Sequence, residues 1–207
     1  MSVQAADGNR MTLSATLWPV ASSSSRILRA LVLALAGSLI LTISAKVQVP
    51  FWPVPMTMQT FAVTVIGMAY GLRLGTVTVL LYLAEGAVGL PVFASGSGLA
   101  YFAGPTGGYL IGFAVAAALC GGLAERGWDR SVWLTVAAMT LGTLVIFAFG
   151  LPWLAVFLAA AKSYAVGQAI SAAVATGFVP FIAGSVFKIA LAAAVLPGAW
   201  WLIGRRA

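Results

Sequence analysis

From Ile27 onward the chain alternates long apolar runs with short interruptions of charge, proline or glycine. The length of those runs is the first constraint on the fold. A helix crossing a hydrocarbon core about 30 Å thick needs about 20 mostly apolar residues. Six runs, several of them short, approach that measure: 27–45, 57–71, 74–90, 109–123, 132–151 and 181–203. The pattern predicts an all-α integral membrane protein with one six-helix transmembrane domain over residues 27–203. A polar tail, 1–26, precedes it with Arg10 and the serines Ser22 to Ser25, and a basic end, 204–207, follows. Residues 161–177 are only moderately apolar and are expected to form a short helix over or partly within one side.

Composition agrees. Of 207 residues, 62% are hydrophobic and 7% charged, with a mean hydropathy of +1.06, whereas a soluble domain is about 25% charged. The net charge of +7 would suit nucleic acid only if basic residues clustered with exposed aromatics, and they do not. Sorting the charges by side gives them a topological meaning. With six spans, Arg10, Arg26, Arg29, Arg73, Arg126, Arg130, Arg205 and Arg206 fall on one side, against Lys46 and Lys162 on the other. Lys and Arg in short loops mark the cytoplasm, so both termini are expected inside a bacterial cytoplasmic (inner) membrane. Histidine is absent and Cys120 is the single cysteine. This removes Ser-His-Asp, Cys-His and histidine-zinc chemistry, so the chain is not expected to be an enzyme, to hold a metal or to need a cofactor.

Two uncharged, aromatic segments then fall on the outer side, 47–59 and 89–113. The first is rich in Pro (Pro50, Pro53 and Pro55), and the second is rich in Gly and also carries Pro91 and Pro105. Glycine lets backbone approach a ligand closely and proline stiffens the path, so they are expected to fold back over the bundle as lid and wall. Turning the chain between helices is the alternative. Gly96-Ser97-Gly98 lacks the Lys and the preceding strand of a phosphate-binding loop.

Lys188 lies inside the sixth run, seven residues from Phe181 and therefore about 10 Å deep. A charge there faces a cavity or a partner. Glu85 sits at a comparable depth in the third run, and the two either form a structural ion pair or serve opposite ends of a solute. Ser185 is one turn before Lys188, while Gln59 and Ser95 offer further hydrogen-bonding groups. Trp52, Phe93, Tyr101, Phe102 and Tyr109 can line an apolar pocket or anchor the interface. Along the first run Ala30, Ala34 and Ser38 recur every four residues, a strip for close helix contact either within the chain or with a docking protein.

With "VPFWPVPMTMQTF", "GLPVFASGSG", "GPTGGYLIGF" and "FKIALAAAVLP" in view, the chain resembles the BioY family from about Arg26 to Leu196. Members are the biotin-binding membrane components of energy-coupling factor (ECF) vitamin transporters. The resemblance implies a six-helix S-component working with a transmembrane coupling subunit and two ATPase subunits, with biotin held near the outer surface under the long loops. Biotin fits the candidate residues read from the sequence, so the substrate site is expected at Lys188, Ser185, Glu85, Ser95, Tyr109, Gln59, Phe93 and Trp52, with Lys188 meeting the carboxylate, polar side chains the ureido ring, and Phe93, Trp52 and Tyr109 the apolar ring and chain. Where the family often has Asp, three residues before the lysine, this chain has Ser185. A hydroxyl accepts a hydrogen bond but does not make the charge-assisted one of a carboxylate. Uptake of another small anionic or vitamin-like solute by the same architecture is the alternative function.

Overall fold

A computed structural model describes residues 11–20 and 22–204. Arg10, Arg205 and Arg206 lie outside the described residues, as do the rest of 1–10, Ala21 and Ala207. A short helix, α1 (Leu13–Leu17), precedes the long α2 (Ser23–Lys46). Strands β1 (Gln48–Val49) and β2 (Met56–Thr57) form a small antiparallel hairpin that pairs Gln48 with Thr57 and Val49 with Met56. Helices α3 (Gln59–Tyr70), α4 (Leu72–Ala87), α5 (Leu99–Phe102) and α6 (Gly107–Ala124) follow, and then a 3-10 turn at Trp128–Arg130. The chain closes with α7 (Val132–Lys162), α8 (Val166–Gly177) and α9 (Phe181–Gly204).

The helix ends have local causes. Serine caps α2: the Ser22 side chain accepts from Ser25 N at 3.1 Å, so the helix starts four residues before the apolar run does. Gly71, at φ +85°, joins α3 directly to α4 in a conformation that only glycine adopts at no steric cost. The predicted end of the fifth run at residue 151 does not hold. Helix α7 runs on through Pro152 to Lys162 and takes over the first residues of the segment expected as a separate short helix, which begins instead at Val166. Proline removes one backbone donor, a loss that apolar helices tolerate where neighbours supply the packing. Here Trp153 is tied to the loop before α6, its Nε1 donating to Gly104 O at 2.9 Å.

Helices α2, α6, α7 and α9 are long and apolar enough to cross a membrane, and α3 is a shorter apolar helix. At 12 and 16 residues, α3 and α4 extend only about 18 and 24 Å, less than the hydrocarbon thickness. Helix α6 is the hub, packed against α3, α4 and α7. Contact is close enough that a Cβ at Gly67 would lie 2.6 Å from Ala117 O.

The larger apolar cluster surrounds the hairpin end of the bundle and includes Tyr82, Phe93, Tyr109, Phe147 and Phe181. A second cluster holds the opposite end with Met68, Cys120, Met139 and Leu196, and Leu13 of α1 belongs to it. The segment read as a polar tail is therefore partly core: Thr12, Leu13 and Ser14 are buried. The apolar residues Met11, Leu13 and Leu17 are interleaved with Thr and Ser over too short a stretch to register as a span.

The small-residue strip of α2 faces inward. Ala34 and Ser38 are buried, Ala30 is half-buried, and Ser38 Oγ donates to Glu85 Oε2 on α4. On the same face a Cβ at Gly37 would meet Thr78 of α4 at 2.5 Å. Ala34→Leu is expected to destabilise the fold by about 1–3 kcal/mol through overpacking, read as a lower unfolding temperature in detergent. Leu35→Ala, at an exposed position, is the control expected to change it little.

Candidate substrate-binding site

A cavity opens at the hairpin end, between the start of α3, the loop before α5 and the first turns of α6 and α9. Its atom-free space is about 570 Å³, counting the mouth and the solvent space in front of it. Six aromatic side chains line it: Phe93, Tyr101, Tyr109, Phe113, Phe147 and Phe181. Phe93 is fully buried, stacked on Tyr101 at 4.8 Å between centroids and edge-on to Tyr82 and Phe102. Glycine makes room for it. A Cβ at Gly86 of α4 would fall 2.0 Å from the Phe93 ring.

Lys188 is the one charged residue among the described residues of the lining. It is 7% exposed, two helical turns into α9. Its Nζ donates to Thr57 O at 2.5 Å and to Thr60 Oγ1 at 3.0 Å. An ammonium has three donors, so one N–H remains for a ligand. Glu85 is not its partner, and the ion pair considered from the sequence is not formed. The carboxylate is turned to Ser38 on α2 and does not line the cavity.

Gln59 stands at the start of α3 because Thr57 organises the turn before it. Thr57 Oγ1 accepts from Gln59 N at 3.2 Å and donates to Gln59 Oε1 at 3.1 Å. The Gln59 amide is thus placed beside Lys188, through the same Thr57. Ser185 lines the cavity on the α9 side. Tyr109 presents its ring while its hydroxyl donates to Gly177 O at 3.0 Å.

The loop wall is fastened from three elements. Tyr82 OH donates to Val92 O at 3.1 Å, Lys46 Nζ to Phe93 O at 2.5 Å, and Gln48 Nε2 to Ala94 O at 3.4 Å. Three successive carbonyls of the loop are satisfied in this way, which lets uncharged backbone lie against a buried cavity.

Of the eight residues expected at the site, Lys188, Ser185, Gln59, Tyr109 and Phe93 line the cavity, and Glu85, Ser95 and Trp52 do not. Ser95 is exposed, 3.5 Å from Tyr101 OH. Trp52 is 67% exposed, with Lys162 Nζ 4.5 Å from its ring centroid. Lining residues that sequence reasoning missed include Thr57, Thr60, Phe147 and Phe181. The threonines lie in the "MTMQT" stretch already singled out, so proximity to Gln59 was available as a signal; Phe147 lies in an almost wholly apolar helix and gave none. The lining is mostly apolar, with donors and acceptors brought together at Lys188, Gln59 and Ser185.

The sequence model of the BioY family matches residues 11–205. The biotin transporter BioY of Thermotoga maritima is 36% identical over 157 residues, covering 75% of this chain and 86% of the relative. The biotin transporter BioY of Rhizobium etli is also 36% identical over 157 residues, 71% of this chain and 78% of the relative. Among solved structures, the S-component for biotin from an ECF-type ABC transporter superposes with a TM-score of 0.67 at 21% identity, over 86% of this chain and 94% of that one. At that identity the superposition establishes a shared fold.

Proposed function

The chain belongs to the BioY family, and from that membership we propose that it captures biotin for uptake, as the substrate-specific subunit of an ECF-type transporter. The observation that carries the reading is the enclosed aromatic cavity whose single cation, Lys188, lies beside the Gln59 amide. Energy for transport then comes from partners, a transmembrane coupling subunit and ATPase subunits. In this reading the chain sits in the bacterial cytoplasmic membrane with both termini inside. Helices α3 and α4 complete six spans by burying their short ends within the protein, and the cavity faces out.

The sequence alone suggested that Lys188 meets the carboxylate and other polar groups meet the ureido ring. The geometry favours a different assignment. Lys188 and Gln59 share Thr57 and so occupy one end of the cavity, whereas the polar ends of biotin are held apart by its bicycle and valerate chain. That end offers both donors and acceptors, which a ureido edge uses and a carboxylate, an acceptor only, does not. Burying a carboxylate also costs far more than burying a neutral polar group. We therefore place the ureido head at Lys188, Gln59 and Ser185, the apolar ring and chain against Phe93 and Tyr109, and the carboxylate at the loop-side mouth, where water still reaches it. Glu85, Ser95 and Trp52 stand outside this arrangement.

Calorimetry on purified, detergent-solubilised protein tests the reading: one biotin per chain is expected, and a folded preparation that binds none overturns it. The topology has its own test. Cysteines at Ser97 and Gly127 in a Cys120→Ala background are expected to label from opposite sides of the membrane with an impermeant thiol reagent. Labelling of both from outside contradicts the orientation.

A further inference from the structure

Tyr82 is fully buried in α4 and does not line the cavity, yet its hydroxyl decides how the cavity is equipped. A phenol has one hydrogen. In the structure that hydrogen goes to Val92 O, at 3.1 Å. The remaining polar neighbour of the phenol oxygen is Gln59 Nε2, at 2.7 Å, and with the hydrogen committed the oxygen there can only accept. The carboxamide of Gln59 is therefore obliged to turn its NH2 toward Tyr82 and its carbonyl toward the hydroxyl of Thr57, 3.1 Å away. The flipped amide would set two acceptor oxygens, Oε1 and the phenol oxygen, against each other inside a buried site, where unsatisfied polar groups are costly.

We propose that Tyr82 is a positioning residue for substrate recognition: by donating to the loop carbonyl of Val92 it fixes the Gln59 amide in one orientation, with a donor and an acceptor at set places for the ligand's polar head. With Nε2 using one hydrogen on Tyr82 and Oε1 accepting from Thr57, one amide hydrogen and one carbonyl lone pair remain. They match a group that carries an acceptor beside a donor, as a cyclic ureido edge does, and this deepens the biotin reading on which it rests. The same hydroxyl joins the loop wall to the ligand-facing amide, so loop seating and amide orientation are one event.

The first test is a double-mutant cycle by calorimetry, with biotin as the probe. Tyr82→Phe keeps the ring and its edge-on contact with Phe93 and removes only the hydroxyl. It is expected to weaken biotin binding by about tenfold in the native background and by less than twofold when Gln59 is already Ala, because no amide is left to orient. An equal loss in both backgrounds assigns Tyr82 to general packing and overturns the proposal. A second variant decides the matter without any ligand. Gln59→Glu presents only acceptors, so it must take the Tyr82 hydrogen away from Val92 O, and faster amide hydrogen exchange is expected across residues 88–98 in the empty protein. Unchanged exchange there overturns the proposal. A chain that binds no biotin would remove the functional reading while leaving this second arm to stand or fall alone.

Discussion

Lys188→Met is expected to weaken biotin binding by about a hundredfold while leaving the protein folded. Methionine keeps the length and apolar character of the stem, so the packing of α9 is preserved. What is lost is the charged donor. Hydrogen bonds to charged groups contribute about 1.5–3 kcal/mol, and in the enclosed cavity the donors lost with the ammonium, to Thr57 O and Thr60 Oγ1, also loosen the turn that places Gln59. The measurement is calorimetric titration of both proteins in detergent, with thermal unfolding to establish that the variant is folded. A loss below about threefold removes Lys188 from the site.

Gly86→Val is expected to have an effect of similar size by a purely steric route. Position 86 has no room for a side chain, since its Cβ would fall 2.0 Å from the Phe93 ring. The ring is fully buried, held between Tyr82, Tyr101 and Phe102, and its main chain is bonded through Lys46. The valine therefore expels the phenyl group from the wall and unseats the loop with it. Overpacking costs about 1–3 kcal/mol, and because the disturbance falls on the cavity wall the upper end is expected, roughly a hundredfold in biotin affinity. Hydrogen exchange across residues 88–98 is expected to accelerate in parallel. Native affinity in a folded Gly86→Val protein would show that the Phe93 wall plays no part in binding.

Much of this arrangement could be read from the residues because a membrane restricts what they can do. A lysine inside an apolar run has few uses, so Lys188 stands out, and Gln59 is legible as a hydrogen-bonding group near the start of a span. Depth was legible by counting along a helix; facing was not. Glu85 lies at nearly the same depth as Lys188 and turns to Ser38, because in α4 it is Tyr82, three residues earlier, that points to the cavity side and bonds Gln59. Four-residue spacing in α2 announced close packing without saying against what, and α4 supplies the answer. The continuation of α7 through Pro152 was hidden because a proline's usual meaning, an end of helix, depends on water being available to the freed carbonyl. Least visible was the role of main chain. The carbonyls of Thr57 and Val92 anchor Lys188 and the loop, and no side-chain pattern reports where a carbonyl points.

We propose that the Lys188 end of the cavity takes the ureido head of biotin and leaves the carboxylate at the mouth. Calorimetric titration of the native protein with three ligands separates the two orientations: biotin, its neutral carboxamide, and the analogue whose ureido oxygen is replaced by the weakly accepting sulfur. The carboxamide is expected to bind within about fivefold of biotin and the thio analogue to lose at least tenfold, since a lost hydrogen bond to a charged donor is worth that much or more. A carboxamide that loses a hundredfold beside a thio analogue that binds as biotin does would contradict it and place the carboxylate on Lys188.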